Sequence, residues 1–190
     1  MGLDPCGALL LGRSDAGGAS SAAEITVMEE ACRAAGAEYV AVTDDEDEGE
    51  QFMAFRRMAI PAVERLGTVL IEDVGVPIPN IPDLVMAIEN IASRRDTTIA
   101  VIGHAGDGNF HPLVTFDCQD EAAVARAETA FGEVMDAALA LGGTVTGEHG
   151  IGTLKRGWLR SQLGDDVVDI SRRIKAALDP DGILNPGKAL

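Results

Sequence analysis

The segment Gly103-His104-Ala105-Gly106-Asp107-Gly108-Asn109-Phe110-His111-Pro112 constrains this chain more than any other. It separates two apolar, β-rich runs, Thr98 to Gly103 and Pro112 to Phe116. A crossover between parallel strands needs a dozen or more residues, so this interval is too short for one. The pair must be an antiparallel hairpin, closed by Gly106-Asp107-Gly108, whose glycines accept positive φ. Alternation of short apolar runs with amphipathic stretches would otherwise suggest a parallel sheet. The hairpin tips the expectation to an α+β fold, an antiparallel sheet with helices packed mainly on one face.

The remaining elements follow from periodicity. Gly7–Gly12, Glu38–Thr43, Thr68–Val74 and Gly143–Thr146 read as further strands. Helices are expected from about Ser21 to Gly36 and from Asp45 to about Leu66, the second interrupted by Pro61. Pro82 suits the first turn of another helix, continued by Leu84, Ile88 and Ile91. Asp120 is placed to cap a long helix with Val124, Ala127, Phe131, Met135 and Ala138 as its apolar stripe. A last helix runs to about Leu178 and stops at Asp179-Pro180. At 190 residues the expectation is one domain.

Composition removes several function classes. The net charge of −16 repels phosphate backbones, and Arg56-Arg57, Arg94-Arg95 and Arg172-Arg173 are isolated pairs, so nucleic acid is not an expected partner. No apolar stretch approaches the roughly 20 residues that span a bilayer, and the first residues lack the basic start of a signal peptide. Cys6, Cys32 and Cys118 show no CxxC spacing, which favours reduced thiols and a cytoplasmic setting.

Chemistry concentrates on the three histidines, all in glycine-rich segments after strands. If the hairpin forms, His104 and His111 come close across it, and Pro112 holds His111 to extended backbone angles. Gly147-Glu148-His149-Gly150-Ile151-Gly152 adds a carboxylate and a third imidazole. A His/His/Glu set suits a divalent ion, zinc being the usual one, with an open coordination position. In an extended segment Glu148 and His149 would point to opposite faces, so only one of them is expected to ligate. A metal-free glycine hairpin is the alternative, with Asp107 as a turn or orienting residue.

Three motifs now carry a resemblance. GHAGDGNFHP at 103–112, GEHGIGTLKRGWL at 147–159 and DPDGILNPGK at 179–188 resemble the signatures of the C-terminal domain of FAD-linked oxidases of the vanillyl-alcohol oxidase type. That group includes the glycolate oxidase flavoprotein subunit, D-lactate dehydrogenase and D-2-hydroxyglutarate dehydrogenase. AFRRMAIPAVERLG at 54–67 is similar to the stretch that supplies a substrate-binding arginine in them. The resemblance implies a ferredoxin-like cap or substrate domain over residues 1–190. The flavin-binding domain of the full enzyme is not in this sequence.

By the same resemblance His104, His111 and Glu148 match metal ligands, His149 the catalytic base, and Arg56 the arginine that holds the substrate carboxylate. Asn109 and Asn185 match positions near the flavin ring. The implied reaction is oxidation of a 2-hydroxy acid, with the hydroxyl proton taken by His149 and hydride passed to FAD. Relatives that bind a second carboxylate place a lysine and an asparagine where Ile71 and Leu113 align, so a lactate- or glycolate-like monocarboxylate is expected here. Expected partners are this substrate, a flavin-binding domain or subunit and an electron acceptor of unknown identity, with a respiratory partner a route to peripheral membrane association. The chain alone is expected to be inactive. An uncovered apolar face would invite a homodimer. A stand-alone metal hydrolase and a non-catalytic scaffold docking to a flavin subunit are the other readings.

Overall fold

The computed structural model describes residues 7–190, so Cys6 lies outside the described residues. Two compact units divide the chain, Met1–Met58 and Ala59–Leu190. In the first, α1 (Gly18–Ala34) and α2 (Glu46–Arg57) form as the periodicity predicts. The Asp45 carboxylate caps α2 by accepting the Glu48 N–H at 2.9 Å, and Glu46, Asp47 and Glu48 favour the positive end of its dipole.

The strands expected at 7–12 and 38–43 are absent. An apolar run becomes a strand only with a ladder partner. Neither run forms a strand among the described residues, and Leu10 and Tyr39 are left 65% and 82% exposed. Neither α1 nor α2 has a fully buried residue, so the first unit has no core comparable to the second.

The second unit begins with α3 (Ala59–Glu64), so the helical stretch breaks at Met58, ahead of Pro61. Four strands follow: β1 (Thr68–Ile71), β2 (Val74–Gly75), β3 (Thr98–His104) and β4 (Asn109–Phe116). β4 is central and all its pairings are antiparallel. β3 lies along one edge, with Ile102 opposite His111 and His104 opposite Asn109. β1 and then β2 lie along the other edge, with Ile71 opposite Leu113 and Val74 opposite Phe110.

The expected strand 68–74 is therefore split, and Pro112 supplies the reason. Glu72 donates its N–H to the Pro112 carbonyl at 2.9 Å, but proline has no N–H to return. The ladder lapses at Glu72-Asp73 while its register carries on. The expected strand at 143–146 reduces to a single bridge, Thr144 to Gly75.

One face of the sheet is covered by α4 (Ile81–Arg95) and α5 (Glu121–Ala140). Leu84, Ile88 and Ile91 of α4 and Ala127, Phe131, Val134, Met135 and Ala138 of α5 close the core with Val74, Phe110 and Val114. Pro82 sits in the first turn of α4, and the Asp120 carboxylate caps α5 by accepting the Ala122 N–H at 2.9 Å. The fold is α+β, as the hairpin requires.

The last helix, α6 (Arg156–Leu178), breaks step at Gly164, where φ is 78°. Leu163, Val167, Ile170, Ile174 and Leu178 recur along it as an exposed apolar stripe. No helix among the described residues is long and apolar enough to cross a membrane.

Candidate metal and substrate site

The hairpin presents its polar residues on the sheet face away from α4 and α5. Side chains two apart on a strand share a face. With Ile102 opposite His111, His104 lies diagonally across from it, and their ring centroids are 5.5 Å apart at 88°. Asp107 Oδ1 accepts the Asn109 N–H at 3.0 Å and so shapes the turn. Gly108 has φ +80° and packs so closely on Val76 that a Cβ would lie 2.1 Å from its carbonyl oxygen, so no other residue fits.

The loop 146–152 supplies the third side of the site. It is not extended, and Glu148 and His149 do not point apart as the alternation rule predicts. Glu148 Oε1 lies 3.0 Å from His111 Nε2, 3.8 Å from His104 Nε2 and 3.7 Å from His149 Nε2. His149 stacks on His111 with centroids 4.8 Å apart at 11°. One carboxylate oxygen thus sits amid three imidazoles. His111 is buried, while His104, Glu148 and His149 are partly open to solvent.

This donor set fits a divalent metal ion. One ligand atom each from His104, His111 and Glu148 lies within 4.8 Å of the others, and two imidazoles with one carboxylate is a zinc-type combination that leaves a coordination position open. Gly147 lets the loop lie flush on the sheet, since a Cβ there would be 2.5 Å from Asn109 Cγ and Oδ1.

Sequence reasoning missed the residues beneath this loop. Asp73, fully buried, accepts from the Thr146 hydroxyl at 2.5 Å and from the backbone N–H groups of Gly147, Glu148 and His149 at 2.8–3.3 Å. Burial alone would raise its pKa, but these hydrogen bonds outweigh that and hold it at about 2. Next to it, burial pushes the carboxyl of fully buried Glu72 up to about 8, against the opposing pull of the Lys155 charge. The Lys155 amine donates to the carbonyls of Asp73 at 2.8 Å and Val145 at 2.9 Å, and lies 3.5 Å from Glu72 Oε2. Two acids interrupting the apolar run Thr68 to Val76 were the available signal.

The other sequence-predicted residues are placed as follows. Asn109 is buried beneath Gly147 with its Oδ1 unpaired. Asn185 is exposed in the C-terminal loop at φ +46°. The tail returns to the site loop, where Ala189 donates its N–H to the Gly152 carbonyl at 2.7 Å. Arg56 is exposed on α2 in the first unit, and its neighbour Arg57 pairs with Glu50. A cavity of about 280 Å³ beside His149 is lined by Ile71, Ile151, Leu154 and Lys188, among others.

The chain belongs to the family described as FAD linked oxidases, C-terminal domain, which matches residues 2–189. It is 41% identical over 162 residues to the glycolate oxidase subunit GlcD of Bacillus subtilis, covering 85% of this chain and 34% of that protein. It is 39% identical over 155 residues to the glycolate oxidase subunit GlcD of Escherichia coli, covering 81% and 31%. A probable mitochondrial D-lactate dehydrogenase of Danio rerio is 35% identical over 174 residues, covering 88% and 34%. The chain spans about a third of the length of these relatives.

Proposed function

We propose that this chain is the substrate- and metal-binding domain of an FAD-dependent oxidoreductase that converts a short 2-hydroxy monocarboxylic acid to its 2-oxo acid. The convergence of His104, His111 and Glu148, with His149 stacked alongside, carries the reading. His104, His111 and Glu148 would hold a divalent ion, zinc by the donor set, which when bound supplies Lewis acidity at the substrate hydroxyl. His149, half exposed and free to meet a ligand from the open side, takes the hydroxyl proton at its ring nitrogen. A flavin held by a partner domain would supply the two-electron, hydride-accepting chemistry that leaves the 2-oxo acid.

Arg56 is proposed as the carboxylate anchor on the likeness of 54–67 to the stretch that supplies one in the family, its guanidinium on α2 being exposed and open to a two-pronged contact. Asn185, and less directly the buried Asn109, would face the flavin side. An ion activating water for hydrolysis is the competing use of the same ligands. The likeness to relatives named as oxidase and dehydrogenase favours redox chemistry over it.

The purified chain, dialysed and without a histidine tag, is expected to retain close to one divalent ion per molecule. His111→Ala should weaken zinc or cobalt affinity by at least ~100-fold, measured by competition with a chelator dye. A chain that binds neither metal, or a variant that binds as well as the parent, overturns the metal assignment. Dye reduction with 2-hydroxy acids is expected only once a flavin domain is supplied. Turnover by the chain alone contradicts the reading.

The choice of a monocarboxylate rests on Ile71 and Leu113, which face each other across β1 and β4 on the His111 side of the sheet. Neither can satisfy a second carboxylate, and burying one unpaired is costly. With the flavin domain present, kcat/KM on lactate or glycolate should exceed that on 2-hydroxyglutarate by at least ~10-fold, and the reverse order would sink the assignment.

A further inference from the structure

The loop carrying Glu148 and His149 has no regular secondary structure, yet both side chains meet the hairpin histidines at fixed places. Consecutive N–H groups at Gly147, Glu148 and His149 turn inward, a backbone arrangement that in other proteins cups an external anion. Here the cup is filled from within by Asp73. Register places Asp73 across from His111, between Ile71 opposite Leu113 and Val74 opposite Phe110. The Asp73 carboxylate also receives the Thr146 hydroxyl, and that hydroxyl oxygen in turn accepts the Gly150 N–H at 2.8 Å.

We propose that Asp73 is the positioning residue of the site: its buried carboxylate gathers the 146–149 backbone and presents Glu148 and His149 to His104 and His111. The inference rests on the metal-binding reading for its functional consequence and on geometry for the positioning itself. Every group directed at Asp73 is a donor. A carboxylate accepts through both oxygens, whereas an amide turns one end into two N–H donors facing other N–H groups. Lys155 fixes the support from behind by holding the Asp73 and Val145 carbonyls together, one on each side of the loop's footing.

The test uses the 190-residue chain and its variants Asp73→Asn, Thr146→Val and Thr146→Ser. Amide protons donating to a buried carboxylate resonate downfield and exchange slowly, so Gly147, Glu148 and His149 are expected to show both in nitrogen-15 spectra. Stacked rings at this spacing also give an Overhauser contact between His111 and His149. Asp73→Asn should abolish the downfield shifts, the protection and the ring contact, and weaken Co2+ binding by ~10- to 100-fold. Thr146→Val should move the same readouts in the same direction, and Thr146→Ser should restore them.

Asp73→Asn and Thr146→Val variants that retain amide protection, ring contact and Co2+ affinity overturn the proposal. If Asp73→Asn does not fold, the contrast between Thr146→Val and Thr146→Ser decides. If the parent chain binds no Co2+, the metal reading falls. The amide and ring signals still judge the positioning: their loss in the variants supports it, and their persistence refutes it.

Discussion

Lys155→Met is expected to destabilise the second unit by about 3–5 kcal/mol. The lysine is buried, with 6% of its surface exposed, and its amine is fully engaged: two carbonyls, Asp73 and Val145, accept from it, and Glu72 lies 3.5 Å away. Methionine fills a similar volume, so the loss is polar and not a cavity. Each carbonyl left without a donor costs about 1–3 kcal/mol, and Glu72 loses the only positive charge acting on it among the groups that shift it.

Urea unfolding of parent and variant at pH 7 gives the number. A double change, Glu72→Leu with Lys155→Met, should cost less than the sum of the singles, because the two side chains lie against each other and each single change leaves the other's buried polar group without its neighbour. Recovery should be incomplete, since the two carbonyls still lack their donor. A Lys155→Met variant within about 1 kcal/mol of the parent would mean that water replaces the amine and that the support below the site loop is soft.

How much of this was legible beforehand differs by element. The β3–β4 hairpin was, because Gly106-Asp107-Gly108 leaves too little chain for any other connection. The α5 face was too, because Ala127, Phe131, Met135 and Ala138 recur at helical spacing and all four are buried. The segments 7–12 and 38–43 misled because β structure depends on a partner strand, which a local apolar run does not encode. Convergence of Glu148 and His149 was also hidden, since alternation describes extended chain and this loop is bent around a carboxylate 73–76 residues away in sequence. Spacing rules describe neighbours along the chain. Asp73, Glu72 and Lys155 act across it.

Glu72 carries the second large effect, a pH dependence. Its oxygens make no hydrogen bond and its side chain is fully buried, so the charged form is penalised and the carboxyl is pushed from 4.5 up to about 8. Between those values the folded chain binds a proton that the unfolded chain has released. Stability from this group is therefore complete below about pH 4.5 and is lost as pH rises through about 8.

At about 1.4 kcal/mol per pH unit, the interval, which already includes the opposing attraction of Lys155, sets a ceiling of roughly 5 kcal/mol. Glu72→Gln removes the titration and keeps the shape. Relative to the parent, it should be gained stability of about 3 kcal/mol at pH 9 and near equality at pH 4.5, read as the difference between two urea series. The difference cancels the other acidic groups that a chain of net charge −16 titrates over the same range. A difference that stays flat from pH 4.5 to 9 would show Glu72 ionised throughout and paired with Lys155. A buried salt bridge, and not a protonated acid, would then support the loop from below.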